Sequence, residues 1–113
     1  MIQVFYIAEK GTLRVDINGH GDLRNAEGLD VYCAAATALT NTLGVNAISA
    51  WESGFLDEEP TVYVGDEGEG RARIVVKPKP EYYGLISSIV NAITIGYQTL
   101  AVFHPEAVEY VKG

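Results

Sequence analysis

Ile2-Gln3-Val4-Phe5-Tyr6-Ile7-Ala8-Glu9-Lys10-Gly11-Thr12-Leu13-Arg14-Val15-Asp16-Ile17-Asn18 decides the fold. Ile2, Val4 and Tyr6 alternate with Gln3, Phe5 and Ile7, a largely apolar strand. Glu9-Lys10-Gly11-Thr12 is turn chemistry. Leu13, Val15 and Ile17 then alternate with Arg14, Asp16 and Asn18, a cleaner half-buried strand, so the two read as a hairpin. Outward from it, residues 18–29 hold Gly19, Gly21 and Gly28 without apolar periodicity, and read as a loop.

The next element is a helix opening at Asp30, a favoured N-cap, and running to roughly Ser53. Ala34, Ala35, Ala36 and Ala38 propagate it, and Ala36, Leu39, Leu43, Ala47 and Ala50 form a stripe at helical spacing. Gly44 interrupts it at a cost of about 1 kcal/mol relative to Ala. An acidic loop, 56–60, leads to a strand at Thr61-Val62-Tyr63-Val64. Residues 65–70 form a turn, and Arg71 to Lys77 return as a strand with Ala72, Ile74 and Val76 on its inner face. Pro78 and Pro80 end that strand. A second helix runs from about Glu81 to before Pro105, with Tyr82, Ile86, Ile89, Ile93, Tyr97 and Leu100 as its stripe. Residues 107–111 read as a short strand at a sheet edge. The order predicts an α+β fold, an α/β sandwich with a mainly antiparallel sheet and two helices on one face.

At 113 residues the chain is long enough for one domain, 1–113, and one core. Its net charge of −7 argues against a nucleic-acid surface and suits a partner with a basic peptide. Arg71, Arg73, Lys77 and Lys79 alternate as one strand face, read as a solvated face rather than a phosphate site. No apolar span is expected to reach the length of a membrane helix, and Met1-Ile2-Gln3-Val4 does not open like a signal peptide. With one cysteine the chain forms no internal disulfide, so a cytoplasmic, reducing compartment is expected. One Cys and two His without ligand spacing make no metal site, and residues 65–70 make no phosphate loop. No cofactor is expected.

That cysteine, Cys33, follows the capping Asp30 by three residues, at the positive end of the helix, where the field favours thiolate over thiol. His20 stands a short glycine-flanked loop upstream. A thiolate beside an imidazole is the core of a cysteine hydrolase. The competing reading makes Cys33 one more small buried residue of an alanine-rich helix. Two roles are open to Asp30: capping the helix, or orienting His20. His104, before Pro105, suits a helix end better than catalysis. Trp51 and Tyr82 are conceivable receptors for apolar substrate side chains, equally explained by packing.

The run Gly19-His20, then Asp30-Val31-Tyr32-Cys33-Ala34-Ala35, resembles the ribosomal-processing cysteine proteases called Prp. Their pattern is a strand ending in Gly-His, a glycine-containing loop and an Asp-x-x-Cys-Ala-Ala segment opening a helix. The likeness extends over most of the chain, including the long closing helix with Tyr97. It implies a homodimer in which Cys33 is the nucleophile, His20 the catalytic histidine and Asp30 a supporting residue. It also implies a protein substrate, a large-subunit ribosomal protein with a removable N-terminal extension, or a virion protein of a phage. This chain departs from the family in Gly21 after His20, in Tyr32 before the nucleophile, and in Thr37 where a serine is usual. Those changes fall where a cleft would be shaped, and suit a divergent phage-type member. The alternative function is a non-catalytic peptide- or protein-binding module on the same fold.

Overall fold

The structure, a computed structural model, describes residues 1–19, 31–65 and 69–113, with backbone alone for 31–33. Its first element is the expected hairpin, β1 (Ile2–Glu9) and β2 (Thr12–Gly19), paired from Ile2↔Gly19 to Glu9↔Thr12. Lys10 and Gly11 both have positive φ, 52° and 77°. Two such residues make the two-residue turn whose twist matches that of the flanking strands. After α1 (Val31–Glu52), β3 (Thr61–Val64) and β4 (Arg71–Val76) form a second antiparallel pair. A short 3-10 turn, Pro80–Tyr82, leads into α2 (Tyr83–Phe103), and β5 (Val108–Lys112) ends the chain.

The sheet order is β3-β4-β2-β1-β5, with β2 central. Only β5 runs parallel to its neighbour, β1, because α2 carries the chain back across the sheet before β5 begins. Alternation gives the sheet two chemically distinct faces. Ile2, Val4, Tyr6, Leu13, Val15, Ile17, Ala72, Ile74 and Val76 are buried under the helices. From α1, Ala36, Thr40, Leu43, Gly44, Ala47 and Ala50 face them; from α2, Ile86, Val90, Thr94 and Tyr97.

Two glycines inside the helices are explained by close approach. A Cβ on Gly44 would lie 3.1 Å from Val62 Cγ1 in the sheet, and one on Gly96 would lie 2.6 Å from Leu39 Cδ2 on the other helix. Gly44 therefore seats α1 on the sheet, and Gly96 lets the two helices meet.

Three expectations are corrected. The basic strand face is shorter than the sequence suggested, because β4 stops at Val76 and Pro78 forms an isolated bridge with Leu56. Arg71 and Arg73 thus share the strand face, while Lys77 and Lys79 lie beyond it. In α2 the buried line runs through Val90 and Thr94, leaving Ile89 and Ile93 half-buried. The helix carries no charged residue, so no strongly polar side marks which face turns out. Finally, Pro80–Phe103 is a 24-residue span of mean hydropathy 1.4, long and apolar enough by length and composition to cross a membrane. In this fold it packs against α1 and β5 with Ile86, Val90, Thr94 and Tyr97 buried and its other side chains half-buried or exposed.

Candidate functional site

The two ends of the sandwich can be assigned from main-chain contacts. Beyond the C-terminus of α1, Asp57 N–H donates to the Lys77 carbonyl at 2.8 Å, and Lys79 N–H donates to the Phe55 carbonyl at 2.9 Å. Phe55 and Tyr82 meet with ring centroids 4.6 Å apart. This end lies past Val76 of β4, which pairs with Leu13 at the start of β2. The N-terminus of α1 therefore lies at the opposite end, where β2 finishes at Gly19. The end of α2 lies there as well, since it leads to β5, whose Val108 pairs with Ile2, the partner of Gly19.

Gly19 is required where it stands. Its φ is +96°, and a Cβ there would fall 2.1 Å from the Met1 carbonyl oxygen. Its N–H donates to the Gly70 carbonyl at 2.8 Å. The chain thus leaves β2, one residue before His20, through a position that only glycine fills without strain.

Cys33 is the third residue of α1, in its first turn, as expected. Amides of a first turn have no intrahelical acceptor and point out of the helix end. His20, Asp30 and the proposed Asp30 cap lie outside the described residues; of the 18–29 loop expected from the sequence, Asn18 and Gly19 instead end β2 and the rest lies outside the described residues.

Thr40 and Tyr97 help to fix α1 along its length. Thr40 Oγ1 donates to the Ala36 carbonyl at 2.8 Å. Its hydroxyl proton being used there, the 2.7 Å contact with Tyr97 is a hydrogen bond donated by the Tyr97 phenol. Tyr97 is fully buried, and burial raises its pKa, the Thr40 bond pulling the other way. The helices are antiparallel, with Leu39 against Gly96 and Thr40 against Tyr97. Counting back from these contacts puts the first turn of α1 level with the last turn of α2. Sequence reasoning missed Thr40; its signal was a hydroxyl four residues after Ala36, on the buried stripe.

Other candidates fall elsewhere. Trp51 and Tyr82 belong to the far end, with Phe55. His104 caps α2, its N–H donating to the Leu100 carbonyl at 2.8 Å, and its Nδ1 lies 3.6 Å from Glu106 Oε1. On the open face of the sheet, Phe5, Asn18, Tyr63 and Arg71 help to line a groove of about 110 Å³. There Arg73 Nε donates to Asp16 Oδ1 at 2.6 Å, and Arg14 Nε lies 3.1 Å from Asp16 Oδ2, a charge contact without hydrogen-bond alignment. Such exposed pairs contribute less than about 1 kcal/mol.

No protein-family model and no curated protein matches the sequence. Solved structures do. The S. aureus ribosomal processing protease Prp with a covalently linked product peptide aligns at a TM-score of 0.70 and 24% identity, over 100% of both chains. The same protease with a substrate peptide aligns at 0.68 and 23%, again over 100% of both. A Streptococcus mutans protein aligns at 0.59 and 27%, covering 99% of this chain and 96% of its own. From end to end, the chain has the fold of the ribosomal processing protease Prp.

Proposed function

We propose that this protein is a cysteine endopeptidase of the Prp type, removing an N-terminal extension from a large-subunit ribosomal protein or from a phage virion protein. The observation that carries the proposal is the backbone position of Cys33, in the first turn of α1 at the end of the sandwich where β2 stops one residue before His20. Full-length likeness to a processing protease in complex with substrate and product peptides supports it.

In this reading Cys33 is the nucleophile, its thiolate favoured by the helix N-terminus and by His20 as imidazolium. Attack on the scissile carbonyl forms a tetrahedral oxyanion, for which first-turn amides are the natural donors. His20 gives its proton to the leaving amine, and water, deprotonated by His20, hydrolyses the thioester. Asp30 supports the site as a helix cap or as the group orienting His20. Asp30→Asn separates these roles. As a cap, Asn substitutes well, so stability and cleavage both persist; loss of cleavage with the fold intact assigns the carboxylate to the chemistry. A lone thiol nucleophile suits a reducing cytoplasm. The reading includes association into a homodimer.

The test is incubation with candidate ribosomal and virion proteins, read by intact mass. The proposal expects one N-terminal cleavage that disappears in Cys33→Ala and Cys33→Ser. Stable binding of such a protein without cleavage would instead identify the peptide-binding module.

A further inference from the structure

The sheet ends in two edge strands that differ in chemistry. One, β5, carries Glu109 and Lys112, the kind of charge that keeps an exposed edge from pairing with another chain. The other, β3, reads Thr61-Val62-Tyr63-Val64 and carries no charge.

Which groups the β3 edge offers follows from the ladder. Gly65 N–H donates to the Arg71 carbonyl, and on the other side of β4 Gly19 N–H donates to the Gly70 carbonyl, both at 2.8 Å. The main chain of Arg71 therefore faces β3, and that of Gly70 faces β2. Carried along the register Val64↔Ala72, Tyr63↔Arg73, Val62↔Ile74 and Thr61↔Val75, this alternation gives Thr61 and Tyr63 to β4. Val62 and Val64 turn their N–H and C=O groups outward. Among the described residues no strand lies beside them, so two donors and two acceptors face outward.

The surroundings select a partner for those groups. Residues 52–70 hold seven of the chain's fifteen acidic residues and no Lys, Arg or His. Asp57, Glu58 and Glu59, just before β3, are exposed. On the helix side Gly44 lies against Val62, and Ile48, one turn on from Gly44 along the same side of α1, is exposed, as is Val64.

The edge also has a fixed place relative to the nucleophile. Because Val64 pairs with Ala72 and Arg71 with Asn18, β3 runs toward the end where α1 begins. From Gly44, level with Val62, Cys33 lies about 16 Å back along α1. Val64 covers only about 7 Å of that distance. The remaining 10 Å or so corresponds to roughly two or three extended residues.

We propose that the free edge of β3 is a docking site for an extended, basic segment of the protein substrate, which pairs there as a sixth strand at least two or three residues from the scissile bond. The identity of the occupant rests on the protease reading; the pairing itself needs no cleavage. Main-chain hydrogen bonds to Val62 and Val64 supply affinity, and alternate side chains of the segment meet Val64 and Ile48. Lys or Arg flanking the paired stretch complements the acidic residues around β3. A second copy of this chain is a poorer occupant, because it brings the same acidic residues to the same edge.

The test titrates the Cys33→Ala protein with the capped peptide Lys-Thr-Val-Thr-Val-Thr-Lys and follows amide exchange by NMR. The amides of Val62 and Val64 should gain at least tenfold protection, while those of Thr61 and Tyr63, already bonded to β4, stay unchanged. N-methylation of alternate peptide amides should abolish binding, and N-methylation of the intervening ones should not. Exchanging both peptide Lys for Glu should weaken binding at least tenfold. Val64→Pro removes one outward donor and leaves the bonds to β4, and should weaken binding as much. Asp57→Lys combined with Glu59→Lys should do the same without touching the strand, which covers a proline variant that folds poorly. No binding, protection confined to residues away from β3, or binding indifferent to the position of N-methylation overturns the proposal. Protection of Val62 and Val64 that rises with protein concentration alone gives the edge to a second copy and overturns it too. With a verified protein substrate and Cys33 intact, Val64→Pro should raise KM at least fivefold at unchanged kcat; an unmoved KM removes the substrate as occupant. A wild type that cleaves nothing defeats the protease reading and the occupant with it, whereas the exchange data still decide the pairing.

Discussion

The two ends of the sandwich are built differently. Where β4 stops, the layers are closed by the Phe55–Tyr82 ring contact, the Leu56↔Pro78 bridge and main-chain hydrogen bonds on either side of it. Where β2 stops, α1 begins and α2 ends, the described contacts include main-chain bonds, Gly19 N–H to the Gly70 carbonyl and Ile2 N–H to the Ala107 carbonyl at 2.9 Å, and polar side-chain pairs, Tyr63 with Glu69 and His104 with Glu106. Among the described residues, one end is closed by an apolar ring contact, and the side-chain pairs at the other are polar and partly exposed. If Cys33 and His20 carry the proposed chemistry, the difference means that stability and chemistry are separated along the long axis of the helices, and substitutions can break or sharpen that division.

The largest effect is expected from Cys33→Ala. Cleavage should fall by more than about 10⁴-fold, as for loss of a nucleophile elsewhere, while the melting temperature stays within a degree or two. A large fall in melting temperature would make Cys33 a packing residue and erase the division.

Gly19→Ala comes next. Backbone strain at a positive φ costs about 1–3 kcal/mol, and the clash with the Met1 carbonyl adds to it. Denaturant unfolding should show that loss, and cleavage should fall beyond what the unfolded fraction explains, because the exit toward His20 has moved.

Phe55→Ala should do the reverse. Loss of a half-buried ring should cost about 2 kcal/mol, with cleavage per folded molecule unchanged. A loss of specific activity there would show that the two ends are coupled.

Tyr97→Phe sharpens the comparison midway between the ends. Thr40 keeps its bond to Ala36, so about 1 kcal/mol should be lost at neutral pH. At high pH the sign works as follows. Burial raises the Tyr97 pKa, and burial, then the charges of Tyr83 and Tyr110, push that of Tyr6 up to about 12, both above the ordinary value near 10. The unfolded chain releases these protons first. Stability is therefore full below pH 10 and lost as pH rises through 12. Alkaline unfolding followed by circular dichroism should show this loss, shallower in Tyr97→Phe and in Tyr6→Phe.

Much of the fold was legible because its signals are local. Alternation in β1 and β2 fixes which side chains face the helices, Lys10-Gly11 fixes the turn, and Pro78, Pro80 and Pro105 bound the later elements. The face of α2 was legible in part: Ile86 and Tyr97 are buried and Tyr82, Ile93 and Leu100 pack against the core as expected, but a helix without charged residues has no strongly polar side to choose Val90 and Thr94 over Ile89. Its orientation is set by partners distant in sequence, Gly96 against Leu39 and Tyr97 against Thr40. The strand face was overextended through Lys77 and Lys79 because alternation continues in the sequence past Val76, where pairing with β2 ends. At the candidate site the first-turn position of Cys33 followed from the alanine-rich helix and a cap-type residue before it. The pairing of Cys33 with His20 and Asp30 was read from a lone thiol in a capped first turn with an imidazole upstream and was strengthened by the resemblance in motif order; His20 and Asp30 lie outside the described residues.

The central claim is that Cys33 is an activated nucleophile partnered by His20, and the most direct measurement is the pH dependence of its alkylation by iodoacetamide. In the wild type, labelling should be fast at pH 7, with an apparent pKa well below the 8.5 or so of a free thiol. In His20→Ala that pKa should rise and labelling at pH 7 should slow at least tenfold. Labelling that follows an ordinary or elevated thiol pKa in the wild type, or that is unchanged by His20→Ala, would contradict the account.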